Sequence, residues 1–454
     1  MQGLNEIVAD FANIAWGLPL VILLIGGGLY LLLLSRFTAF RYIYHAIELV
    51  MGKHKEQNAE GEITHLQALS TALSSTIGMG NIAGVAVAIS IGGPGAIFWM
   101  WVSGIIGMST KFFTGSLAIM YRGRDSHGDI QGGPMYFIKV GLSKKWHWLA
   151  SFFAVCGLVG ALPVFNVNQL TQAVRDIVLI PNGLYHGVMT DAIFGLILIL
   201  LAAVVIFGGI TRISKTAEKL VPFMVVLYFL AVSYILITHY DRVPQYLWLI
   251  ITDAFSADSY GGDSMFGGAI GGLILLGIRR GAFSNEAGIG TAPMAHGASM
   301  TNEPIKEGLV SMLGPMIDTL IVCTLTALAI LVTDAWELKD LDGVSLTAHA
   351  FTLAAPSMGS YVLLLCIAVF SISSLLSFSY YGTKCISFLI GAKHKHWYRY
   401  FYLLSIMLGA ITSLDLMINL IDGFYALMAI PTMIATLVLA PKVMKEARIY
   451  FNKL

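Results

Sequence analysis

The stretch that most constrains this chain is Thr71–Ala86, TALSSTIGMGNIAGVA, an apolar segment carrying hydroxyls, glycines and an asparagine. With its apolar flanks, Leu66–Ser70 and Val87–Ile91, it is long enough to cross a bilayer, for which about 20 residues are needed. Its centre, Ser74 to Asn81, does not support an ordinary helix. Gly costs a helix about 1 kcal/mol relative to Ala, and backbone groups freed at membrane depth are tolerated only where protein, ion or substrate satisfies them. A helix broken here gathers carbonyls, amides and hydroxyls around one point. The alternative for Gly80 and Gly84 is the small-residue spacing of close helix packing. A second stretch favours the break: Arg279–Ala295, RRGAFSNEAGIGTAPMA, follows the apolar run Phe266–Ile278 and again interrupts a span with polar residues and glycines. Two interrupted spans at corresponding places in two halves point to a transporter built from inverted repeats.

Composition agrees with an all-α integral membrane protein. Of 454 residues, 57% are hydrophobic and 12% charged, far from the balance of a soluble globular chain. A net charge of +1 without a basic tail or patch gives no footing for nucleic acid. Cys156, Cys323, Cys366 and Cys385 lie scattered in apolar segments without disulfide or metal spacing and read as core residues. The N-terminus lacks the basic start of a signal peptide, so the first span is expected to be kept.

Runs of apolar residues place about eleven spans, near 15–35, 67–91, 94–121, 147–175, 188–208, 216–238, 265–295, 307–332, 358–388, 397–414 and 417–440. Lys and Arg collect in alternate loops: Arg36, Arg41, Lys53 and Lys55, then Arg122, Arg124, Lys139, Lys144 and Lys145, then Arg212, Lys215 and Lys219, and finally the tail from Lys442. The loops near 239–263 and 333–342 are acidic, with Asp241, Asp253, Asp258, Asp263, Asp334, Glu337, Asp340 and Asp342. The positive-inside rule then sets the N-terminus outside and the C-terminus in the cytoplasm. Setting the first helix aside leaves five spans on each side of the first acidic loop, the first of each five broken. An odd number of spans per half inverts the second half. The expected organisation is an N-terminal helix and loop (1–66), a first repeat (67–240), an outer interfacial segment (241–263), a second repeat (264–441) and a tail (442–454). Val243–Phe255 is too short to span and reads as an interfacial helix, with Tyr246 and Trp248 at the water boundary.

The blocks TALSSTIGMGNIAGVAVAISIGGPGAIFWMW, QGGPMYFI at Gln131–Ile138, RRGAFSNEAGIGTAP and GLVSMLGPMIDTLIVCTLTALAIL at Gly308–Leu331 resemble the alanine or glycine:cation symporter family, over nearly the whole chain. The resemblance implies the leucine-transporter fold, five plus five helices with the first of each repeat unwound. It also implies symport of a small neutral amino acid with sodium, or with a proton in some relatives, in a prokaryotic plasma membrane. No cofactor is implied, and a monomer suffices. Carried onto this sequence, the substrate carboxylate faces the amides of Met79 and Gly80, with Thr76 and Gly78 lining the gap. The ammonium lies near Phe283, Ser284 and Asn285. Carbonyls of Ser74 and Ile77 with hydroxyls of Ser373 and Ser374 make the sodium site, and Asn81 is a further candidate ligand. A helix N-terminus does present free N–H groups and partial positive charge to an anion, although serines in a span also back-bond to the preceding turn.

The chain departs from the family pattern where specificity is expected. Asn166 stands where the fourth helix usually has Gln, Phe378 where Trp is usual before SYYG, Ser377 where Gly is common, and Thr114 where a carboxylate is frequent. Ionisable residues inside spans cost about 2.5–3.5 kcal/mol each at the bilayer centre. Glu286 is expected to bond freed N–H groups at the second break rather than to protonate during transport. Asp318 reads equally as a proton-coupling carboxylate or a hydrogen-bonded anchor, and Lys111 and Glu218–Lys219 are expected to snorkel to the interface. A channel finds no support in a multi-subunit pore motif. An enzyme finds none in a nucleophile–base pair or in a His, Glu and Asp grouping with metal-ligand spacing.

Overall fold

The computed structural model describes residues 2–54, 56, 59–256, 269–338, 341, 343–411 and 415–454. Asp258, Asp263, Asp340 and Asp342, the 263/264 boundary and the start of the apolar run at Phe266 lie outside the described residues. Among those described, eight helices are long and apolar enough to cross a membrane: Asn5–Leu34, Gly95–Met120, Lys144–Leu179, Val188–Ile206, Gly209–Thr238, Pro304–Val332, Gly359–Ile390 and Met417–Phe451. A ninth span is bent: His65–Thr76 and Gly80–Gly92 meet at 53°. Two helices of 17 residues, Ala269–Asn285 and Lys395–Ile411, occupy the places of two further expected spans.

The first broken helix starts at a capping box. The Thr64 hydroxyl accepts from the Gln67 amide (3.2 Å) while the Gln67 side chain accepts from the Thr64 amide (3.0 Å), which satisfies two donors a helix start leaves free. Gly95–Met120 is the central strut, packed against Ala269–Asn285, Pro304–Pro315 and Leu18–Leu34. Its small residues permit this approach: a Cβ on Gly107 would come 2.9 Å from Cβ of Ala287, and one on Gly115 2.6 Å from Cβ of Ser311. This is the close backbone packing that small residues give membrane helices.

One end of the bundle is closed by main chain. Ile63 and Ser299 form a parallel bridge, with Glu62 N donating to Ala298 O (2.8 Å) and Met300 N to Ile63 O (2.7 Å). The Arg122 guanidinium lies across the junction, donating to the carbonyls of Gly297 and Thr301 (2.9 Å each), Ser299 and Glu60. Beneath it, the buried Glu307 carboxylate sits between Nδ1 of His65 and Nδ1 of His296, 2.5 Å from each.

Several expectations are corrected. Lys111 does not snorkel: it is 2% exposed, and the carboxylates of Glu286 and Asp318 act on it as charged neighbours. A cation can stay in the interior when opposite charge is buried with it. In the interfacial helix, observed at Val243–Asp253, Trp248 is exposed as expected but Tyr246 is buried, because its hydroxyl donates to Asp334. A helix at Gly343–Ala354, unanticipated from the sequence, packs on the first break, with Thr347 donating to Ile82 O (3.4 Å). The four cysteines are buried and free.

Asp334 lies just past the end of Pro304–Val332 and also takes the Arg242 guanidinium. Partial burial works against its charge, but the bonds from Tyr246 and Arg242 outweigh it and hold its pKa below the ordinary 3.8. A carboxylate depressed in this way stabilises the fold above its unfolded pKa and loses that contribution as pH falls through the folded one. The melting temperature of purified Asp334→Asn should therefore fall below wild type near neutral pH. The gap should close as pH drops below about 4, and a gap independent of pH would contradict the charge pairing.

Candidate functional site

Both breaks are built by side chains standing in for lost helix bonds. Ile77 leaves the helical region (φ −74°, ψ 95°), and the Asn81 amide oxygen takes the freed Gly78 N–H (2.9 Å). Asn81 Nδ2 then donates to Oδ1 (2.7 Å) and the main-chain oxygen (3.2 Å) of Asp318. At the second break the helix ends at Asn285, and Glu286 adopts φ 56°, a left-handed conformation uncommon outside glycine. Asn285 Oδ1 accepts from Ala287 N (2.9 Å). The Glu286 carboxylate accepts from Thr291, which opens the short helix Ala292–His296, and from Ser75 (3.3 Å) on the first broken helix. Asp318 joins the two breaks, because Ser284 Oγ donates to its Oδ2 (2.9 Å), as does Thr319 (2.9 Å).

Between the breaks lies a cavity of about 530 Å³. Of the expected substrate residues, Thr76, Gly78, Met79, Gly80, Asn166, Phe283 and Phe378 line it, together with Glu286. The side chains of Ser284 and Asn285 bond instead to Asp318 and to Thr319 (3.2 Å). Asn81 and Asp318 likewise sit behind the wall. Phe283 anchors an aromatic cluster, with Tyr425, Phe165 and Trp16 rings 5.9, 6.2 and 6.3 Å away.

Of the expected ion residues, Ser74, Ser373 and Ser374 lie buried together against the first break. Ser373 Oγ donates to Phe370 O (2.8 Å) and lies 3.3 Å from Ser74 O. Ser374 Oγ donates to Phe370 O (3.1 Å), and Ser74 Oγ bonds Ser377 Oγ. A Cβ at position 78 would stand 2.7 Å from Ser374 Oγ, so a side chain there would displace that hydroxyl. The serines offer oxygen, the donor chemistry that a hard cation takes, with Met224 Sδ 3.5 Å from Ser373 Oγ at their edge.

The model of the sodium:alanine symporter family matches residues 1–454. The chain belongs to that family. It is 40% identical to the sodium/alanine symporter AgcS of Methanococcus maripaludis, over 98% of this chain and 97% of that protein. It is 34% identical to GlnT of Bacillus subtilis, named a probable sodium/glutamine symporter, over 99% of this chain and 91% of that one. The crystal structure of MhsT in complex with L-phenylalanine superposes with a TM-score of 0.55 at 13% identity, covering 84% of this chain and 89% of that one. This places the family member in the leucine-transporter fold.

The cavity also includes residues that reasoning from sequence did not single out: Ser75, Gln169, Arg279, Arg280, Asp422 and Tyr425. Asp422 is an ionisable residue in an otherwise apolar last span, a signal of the same kind as Asp318. It accepts from Trp16 Nε1 (3.0 Å) and pairs with Arg279 (3.6 Å), whose guanidinium lies over the Trp16 ring. The first helix, set aside in the repeat count, thus contributes Trp16, and the exposed Asn13 marks where the cavity reaches the surface.

Replacing Asp318 by Asn would put an amide N–H₂ among groups that donate to it. Leaving buried donors unsatisfied costs about 1–3 kcal/mol each. Asp318→Asn and Asn81→Ala should each lower the melting temperature of the purified protein. Unchanged melting for both variants would remove the anchoring role.

Proposed function

We propose that the protein is a secondary transporter of a prokaryotic plasma membrane that imports small neutral amino acids, alanine and glycine foremost, by symport with sodium. The observation that carries this reading is the pairing of helix ends on one cavity. Met79 and Gly80, where the helix resumes, line it, and so does Phe283, in the last turn of Ala269–Asn285. A zwitterion fits this arrangement, its carboxylate at the positive end and its ammonium by the free carbonyls. Transport leaves the substrate chemically unaltered, so no nucleophile or acid–base pair is needed. Ser74, Ile77, Ser373 and Ser374 are assigned to sodium, and Glu286 and Asp318 to holding the breaks. The N-terminus is placed outside and the Arg122 end inside. The repeats at 67–240 and 264–441 move against each other. One charge moving down 100 mV supplies about 2.3 kcal/mol, roughly 50-fold accumulation at 1.4 kcal/mol per decade.

Broader specificity reaching glutamine is supported by the cavity volume and by the Gln169 and Asn166 side chains on its wall. The deciding experiment is uptake of labelled alanine, glycine, serine and glutamine into proteoliposomes under an inward sodium gradient, an inward proton gradient or neither. Sodium-driven uptake of alanine or glycine is expected, and no gradient-driven uptake of any of the four by folded protein would sink the reading. Filling the cavity with Asn166→Gln should depress uptake of the larger substrates relative to alanine by about tenfold, the scale of one methylene in a pocket. Ser373→Ala and Ser374→Ala should raise the sodium concentration for half-maximal uptake about tenfold or more, since a bond to a charged group contributes about 1.5–3 kcal/mol. Sodium dependence identical to wild type in both would move the ion elsewhere.

A further inference from the structure

Away from the transport cavity, His45, Glu48 and His54 bring one ligand atom each to within 4.8 Å of one another. The sequence shows no such grouping, because the chain turns after the helix Ile43–Val50 and carries His54 back over it. Glu48 Oε2 is 3.7 Å from His45 Nδ1 and 3.6 Å from His54 Nε2. Zinc bonds of about 2.0–2.2 Å in a tetrahedron put neighbouring ligand atoms about 3.3–3.6 Å apart, so these edges are already close to the required length.

The surroundings orient the set. His45 Nε2 is 2.7 Å from the Tyr450 hydroxyl. With Nε2 donating there, the Nδ1 lone pair faces Glu48, the outer-shell arrangement that fixes the tautomer of a metal-ligating histidine. Lys53 bonds the other carboxylate oxygen, Oε1 (3.1 Å), and leaves Oε2 to the imidazoles. Tyr42 stacks on Phe451 with centroids 4.0 Å apart, holding this helix to the end of the last one. His54 is partly exposed, which leaves a fourth position for water.

We propose that His45, Glu48 and His54 form a binding site for a divalent transition metal of the zinc class. Two imidazole nitrogens and one carboxylate oxygen select such ions over magnesium or calcium, which take oxygen ligands. The site adjoins the closed end of the bundle. Lys306 Nζ donates to His54 O (3.3 Å) and to Glu56 (2.8 Å), and Glu56 accepts from Thr301 Oγ1 (2.7 Å) and Asn302 N (2.8 Å). A bound metal therefore fastens the turn beside the segment that closes that end of the bundle. The site does not depend on which substrate is carried.

The test uses the full chain, purified on a tag without histidines, stripped with chelator and titrated with Zn²⁺ by calorimetry and with Co²⁺ by visible absorption. Wild type should take up one Zn²⁺ per chain and show ligand-field bands of nitrogen- and oxygen-bound Co²⁺. His54→Ala and Glu48→Gln should weaken binding at least tenfold, Tyr450→Phe should weaken it about tenfold, and the exposed His127→Ala should leave it unchanged. Unaltered gel-filtration elution of His54→Ala separates loss of a ligand from loss of fold. Absence of stoichiometric zinc in wild type, or zinc binding that survives both ligand substitutions, overturns the site.

Discussion

A helix broken inside a bilayer must find partners for the backbone groups it frees, since hydrocarbon offers none. Here that requirement is met by side chains that also connect the two breaks. Asn81 takes the Gly78 amide on one side and gives its own amide protons to Asp318 on the other. Asp318 accepts from Ser284, in the last turn before the second break. Glu286 runs a second connection, from Ser75 to Thr291. Polar bonds in a low-dielectric interior are strong when complete and costly when incomplete. The cavity wall thus rests on a network that begins in it, at Ser75 and Glu286, and continues behind it.

That arrangement gives the proposed transport cycle a mechanical basis. Ser74 lies in the last turn before the first break, and Ser373, Ser374 and Ser377 approach it from Gly359–Ile390. In the proposed assignment an ion held there joins the two helices, and the same turn presents Thr76 and Gly78 to the cavity. Ion and substrate then favour one arrangement of a shared element, which is what a coupling free energy between two sites requires. Lys111, buried on the strut Gly95–Met120, has the Glu286 and Asp318 carboxylates of this network as charged neighbours.

Much of this was legible in the sequence because a bilayer-spanning segment has few reasons to carry Ser, Asn and Gly together. Thr71–Ala86 and Arg279–Ala295 announced the breaks, and the long apolar runs announced the spans. The misreadings have a common cause. Lys111 and Tyr246 depend on which side chains another helix brings up, and local pattern carries no record of that. Trp16 and Asp422 meet across some four hundred residues of chain, and nothing in the local pattern of either names the other. The helix Gly343–Ala354 is too short to register as a span, yet its Thr347 reaches the backbone of the first break.

The junction of Ile63 with Ser299 is made by main-chain atoms, like two strands at the edge of a sheet. An edge of that kind recognises shape and extension rather than side-chain identity. Parting the junction therefore breaks main-chain bonds, Glu62 N to Ala298 O and Met300 N to Ile63 O, that water must replace for the movement to cost little.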